Sequence, residues 1–262
     1  MTRVTFDSNV WRMAADPGCC PEDPEQGAFE HIHRAIAAGS IEPLLSVTMF
    51  TIEGVRRTDR PTVVGRYRPS ITATGAPGAG GGFRLRLGIE PNQAAHPGIN
   101  EQLGAHLTVA IAAGFRLLRC PRIGGFDTSD LDREWFVQPG DVPLSDILDR
   151  FAQVAQKIED AGAGIAILQQ LGSSHASPGD PWQRGLRNVP ETEGRRLSRA
   201  LAEWADGDTV AAHVAYCGDF LCTRDMARGA GVTSVFASAN RAWLTAEYGV
   251  RFVTPGELAS HV

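Results

Sequence analysis

Apolar and polar positions switch between two periods along the chain, and the switches mark its elements. RVTFD is a short apolar strand ending at Asp7, and SNVWRMAAD after it opens a helix with Ser8 or Asn9 as cap. Phe29, Ile32 and Ile36 recur at helical spacing, with Gly39 as the stop. IEPLLSV then suits a strand, and TMFTIEGVRR a helix carrying Glu53. From about residue 58 the character changes. PTVVGRYRPSITATG and GFRLRLGIEP flank the loop APGAGGG, which predicts a β-hairpin over about 62–90 with Arg84 and Arg86 on one face.

Helical spacing returns in GINEQLGAHLTVAIAAG, followed by a strand in FRLLRCP. PLSDILDRFAQVAQKIEDAGAG carries one apolar stripe through Ile147, Phe151, Val154 and Ile158, with Ser145 as a candidate cap. SSHASPGDPWQRGLRNVPE, rich in Pro, Gly and Ser, predicts a long surface loop. TEGRRLSRALAEWA predicts one helix and DGDTVAAHVAYCG another, its N-terminus acidic as the helix dipole favours. DFLCT is a strand, SANRAWLTAEYG a helix and VRFVTP a last strand. This alternation predicts an α/β fold with a mainly parallel sheet.

Composition narrows the functional classes. The chain has 262 residues, 43% hydrophobic and 21% charged, with a net charge of −5. A general polyanion binder is excluded, so a nucleic-acid partner needs a local basic patch. Lys157 is the sole lysine, which weakens any reading from arginine counts. Neither an apolar leader nor a run of about 18 apolar residues stands out. With five irregularly spaced cysteines, the expectation is a reduced, cytoplasmic protein without a membrane partner.

Two apolar strands end in aspartate, at Asp7 and Asp225. Ligands of open parallel sheets bind at the carboxyl ends of strands, although Asp is also an ordinary turn former there. Glu53 could equally pair with Arg56 or Arg57 on its helix, and Asp206 and Asp208 could be helix caps.

Together VTFDSNVW, SVTMFTIEGVRR and DGDTVAAHVAYCGDFLCTRD resemble the PIN-domain family of metal-dependent ribonucleases, and ANRAWLTAEYGVRFVTPGELA fits as well. The resemblance implies a three-layer α/β/α core from residues 1–57 and 195–262, with residues 58–194 as a β-rich insertion containing the hairpin and helices over about 99–172. It implies that Asp7, Glu53, Asp208 and Asp225 form the catalytic carboxylates. Asp206 stands beside Asp208 as the third acid: its spacing to Asp225 suits the family better, while Asp208 suits the helix start. Ser8, Asn9 and Thr223 would support the site, and Arg56, Arg57 and Arg224 would contact RNA. The implied cofactor is Mg²⁺ or Mn²⁺, which prefers oxygen ligands, clamps a phosphodiester and acidifies an attacking water. RNA is the implied partner. A protein inhibitor, as in toxin–antitoxin pairs, and a homodimer are compatible with it.

Other motifs carry less. APGAGGG lacks the Gly-Lys-Ser/Thr of a P-loop. His31 and His33 diverge on a helix, and DTSDLD lacks the glycine and glutamate of a calcium loop. His213, Cys217 and Cys222 could suggest a thiolate metal site, but the sequence favours packing roles for the cysteines. Arg60, Arg66–Arg68, Arg84–Arg86 and Arg195–Arg196–Arg199 are further candidates for RNA contact, with Tyr67 and Phe83 as stacking partners.

Overall fold

The computed structural model describes residues 1–53, 55, 59–60, 70–77, 83–90, 100–120, 133–138, 143–226 and 233–262, with the backbone alone for 51–53, 70–77, 83–90 and 133. Among these, five strands form one parallel sheet: β1 (Thr2–Phe6), β2 (Ile41–Ser46), β5 (Arg116–Leu118), β6 (Phe220–Cys222) and β7 (Phe252–Val253). Their order is β5-β2-β1-β6-β7. Val4, Thr5 and Phe6 stand in register with Phe220, Leu221 and Cys222. These runs are apolar on both faces because helices cover both.

The helices α1 (Trp11–Ala15), α2 (Gln26–Ala37) and α3 (Val47–Glu53) precede the hairpin of β3 (Ser70–Pro77) and β4 (Phe83–Glu90). After it come α4 (Glu101–Ala112), α5 (Leu144–Asp160), α6 (Ile165–His175), α7 (Trp182–Gly185) and α8 (Gly194–Ala215). The chain closes with α9 (Ser238–Tyr248) and α10 (Pro255–Ala259). α2 and α10 pack together on the sheet, while α8 lies against β2, α3 and α5. The result is an α/β fold consistent with three layers. The antiparallel β3–β4 hairpin matches the sequence expectation. No described helix is long and apolar enough to cross a membrane.

Part of the expected insertion lies inside the fold. β5 pairs with β2, and Leu107, Leu117, Phe151 and Val154 belong to the same core cluster as Val4 and Leu221. A second cluster joins Leu168, Leu171 and Leu186 to Leu197, Leu201 and Trp204 on α8.

Three local expectations are corrected. The two helices predicted around DGD are one, 22 residues long and therefore about 33 Å. Gly207 is no helix start: a Cβ there would stand 3.0 Å from the Gly164 Cα, so glycine serves a close backbone approach. Burial of α8 against sheet and helices outweighs the poor propensity of Asp-Gly-Asp. The loop predicted over SSHASPGDPWQRGLRNVPE is largely helical, because Gly172 and Gly185 let α6 and α7 touch backbone to backbone. The N-caps of α1 and α5 are Val10 and Pro143, not Ser8 or Asn9 and Ser145.

Candidate functional site

β1 lies where the chain reverses its direction across the sheet. From β1 it moves outward to β2 and β5, then returns to β6 on the other side of β1 and continues to β7. Such a switch point opens a crevice at the carboxyl ends of the strands. Asp7 stands there, only 3% exposed.

Its carboxylate is held from three directions. Ser8 N donates to Oδ1 at 2.6 Å, Asn9 Nδ2 to Oδ2 at 2.7 Å, and Thr223 Oγ1 to Oδ2 at 2.6 Å. Thr223 Oγ1 in turn accepts from Asp225 N at 2.9 Å, and Asn9 Oδ1 from Arg224 N at 3.0 Å. Ser8, Asn9 and Thr223 therefore surround Asp7. The segments following β1 and β6 are stitched together by the charge-assisted bond from Thr223 to Asp7 and by the amide bond from Arg224 to Asn9.

A cleft of about 780 Å³ opens beside Asp7. Asp206 and Thr209 of α8, Met49 of α3 and Ser8 line it near Asp7, and Arg12, Arg60, Arg195 and Arg199 contribute its cationic side chains. The two candidate third acids separate here. Residues two apart on a helix face different ways: Asp206 lines the cleft, while Asp208 is 2% exposed with Oδ2 3.5 Å from Thr48 Oγ1. Asp225 is half-buried and is not among the described lining residues. Its charge acts on Glu203, whose pKa is raised mainly by burial. Glu203 anchors the following segment by accepting from Val235 N. Sequence reasoning missed Glu203, which sits at an inward position of α8 where a charge is unexpected. The α3 backbone is described to Glu53, but the Glu53 side chain, Arg56 and Arg57 lie outside the described residues.

Arg224, expected to contact RNA, is engaged within the fold. Its Nε donates to Glu25 Oε2 at 2.6 Å and its Nη1 to Asp23 Oδ2 at 2.7 Å; Nη2 also pairs with Asp23, and the guanidinium lies 4.8 Å from the Phe29 ring. These bonds hold the Asp23 carboxyl below its ordinary pKa. They commit Arg224 to joining the β6 end to α2's approach.

The weighed thiolate site does not assemble. His213 bonds Thr5 Oγ1 at 2.9 Å, and burial lowers its pKa to about 4. Cys222 is core packing in β6, as expected, but Cys217 is exposed with a positive φ of 54°. His31 and His33 bond the separate carbonyls of Val262 and Ala14.

Asp7 and Asp206 offer oxygen donors, the chemistry that hard divalent cations take. Among the described residues, no three His, Cys, Asp or Glu side chains form a metal-holding group. Carboxylate oxygens are the donor type that Mg²⁺ or Mn²⁺ takes. No family model, no curated protein and no solved structure matches this chain.

Proposed function

We propose that this chain is a PIN-like, metal-dependent ribonuclease that hydrolyses phosphodiester bonds in the cleft beside Asp7. The supporting observation is that one cleft, opening beside Asp7 at the switch point of a parallel sheet, is lined by Asp7, Asp206 and four arginines. Acids alone could cap helices, and arginines alone could be solvated. Both lining one cleft is what phosphodiester chemistry requires: cations to hold phosphates and carboxylates to hold a metal.

In this reading Asp7 and Asp206, with Glu53 as the sequence-expected further acid, would hold Mg²⁺ or Mn²⁺. The ion supplies Lewis acidity and a water of lowered pKa. The chain's own residues do the positioning. Ser8, Asn9 and Thr223 fix the Asp7 carboxylate, so little reorganisation is needed when substrate arrives. Arg12 and Arg60 bring positive charge to the cleft for a phosphate. Asp208 and Asp225 add negative charge behind the two cleft acids.

Cleavage of labelled single-stranded RNA with Mn²⁺ or Mg²⁺ tests the proposal. Wild type should cut, EDTA should stop it, and Asp7→Asn and Asp206→Asn should each lose roughly a hundredfold or more while keeping the native circular dichroism. Equal cleavage by wild type and variants, or none by wild type, overturns it. RNA binding without cleavage would instead mark a binding or assembly module. Turnover of small phosphate esters alone would mark a phosphohydrolase.

A further inference from the structure

The N-terminal half of α8 extends beyond the sheet and is held by the second hydrophobic cluster. One of its stripes faces the cleft: Arg195, Ser198, Arg199, Ala202, Asp206 and Thr209. The stripe is graded. Its far end is cationic, its middle small and its near end acidic. Arg195 and Arg199 are exposed, and neither makes an ion pair or hydrogen bond with a described residue. Their neighbour Arg196 is different: it is tied to Glu193 at 3.0 Å and lies off the stripe.

We propose that Arg195 and Arg199 form a distal phosphate subsite that binds the backbone of a single-stranded polynucleotide several nucleotides from the reacting bond. The helix rise places Arg199 about 10 Å and Arg195 about 16 Å along α8 from Asp206. Stacked nucleotides advance about 3.4 Å each along one strand, so Arg199 reaches a phosphate about three nucleotides from the acid. A mononucleotide at Asp206 falls short of Arg195, and a dinucleotide spans less of the stripe than a longer strand does. Ala202 leaves the wall between them low enough for a sugar–phosphate chain to lie against it. The cleft thereby selects polymers over small phosphate esters. This subsite rests on the ribonuclease reading for its purpose, but not for its measurement.

Fluorescence anisotropy in EDTA separates binding from cleavage. The probes are oligouridylate and oligothymidylate, each as a labelled dinucleotide and a decamer, between about 50 and 200 mM KCl. Arg195→Ala/Arg199→Ala should weaken decamer binding and lower the slope of log K against log[salt] by about 1.4, the loss of two single-strand phosphate contacts. Dinucleotide binding should weaken less than decamer binding, and Arg196→Ala should match wild type on both probes. Parallel losses on RNA and DNA identify the phosphate as the shared ligand; a loss on RNA alone adds a ribose contact to the same subsite. Unchanged decamer affinity and slope in the double variant, an equal loss in Arg196→Ala, or no decamer binding by wild type overturns the subsite. The ribonuclease reading fails separately, through Asp7→Asn in the cleavage assay.

Discussion

Thr223 Oγ1 donates to Asp7 Oδ2 at 2.6 Å across the sheet from β6 to β1, between residues 216 positions apart in the chain. The same oxygen accepts the amide of Asp225. One hydroxyl thus couples the orientation of a cleft acid to the course of the chain after β6. Thr223→Val keeps the shape and removes these two bonds and the one that Asn9 Nδ2 donates to the same oxygen at 3.3 Å. It should lower unfolding stability by roughly 2 kcal/mol in urea titration and reduce RNA cleavage, whereas Thr223→Ser should retain most of both.

Arg224 gives a prediction opposite to its sequence-based assignment. Arg224→Ala should leave the salt dependence of RNA binding unchanged and destabilise the fold. Because Asp23 has a lowered folded pKa, its contribution is present above its unfolded value of 3.8 and is lost as pH falls through the folded value. The variant should show a flatter acid limb in urea-monitored stability below about pH 4.

His213 works in the other acidic window. Its folded pKa of about 4 lies below the ordinary 6.5 because the buried ring resists protonation. Between those values the unfolded chain takes up a proton that the native protein refuses, so stability falls as pH drops. The full loss is roughly 3 kcal/mol. His213→Gln should flatten that limb between about pH 6.5 and 4. Glu203 has a raised pKa and the opposite sign, losing stability as pH rises above 4.5.

Gly185 tests the wall that carries the distal arginines. A Cβ there would stand 1.8 Å from the Gly172 carbonyl oxygen, a backbone atom that cannot swing aside. Gly185→Ala should cost about 3 kcal/mol by urea unfolding. Decamer binding should weaken more than dinucleotide binding, because the damage lies beside the far end of the cleft.

The sheet was legible where short apolar runs ended at turn-forming residues. RVTFD, IEPLLSV, DFLCT and VRFVTP all contain strands, and the position of Asp7 at the carboxyl end of β1 was legible from the first of them. Its partners Ser8, Asn9 and Thr223 were legible for the same reason. α8 was not legible as one helix, since Asp206, Gly207 and Asp208 carry the composition of a cap. Only the approach of Gly164 explains the glycine. The separation of Asp206 from Asp208 likewise depended on which side of α8 faced the cleft. The ion pairs of Arg224 were not legible because its acidic partners, Asp23 and Glu25, lie about 200 positions away in sequence.

The second hydrophobic cluster gives α8 two allegiances. Its C-terminal half is mortised into the sheet, while Leu197, Leu201 and Trp204 are moored to α6 and to Leu186 just past α7. Chemistry and grip are thereby mounted on one rigid beam but founded on different ground. The outer footing can be rebuilt by substitutions that leave Asp7 and its hydrogen bonds in place. On the ribonuclease reading proposed above, such a chain can change what it holds without relearning how it cuts.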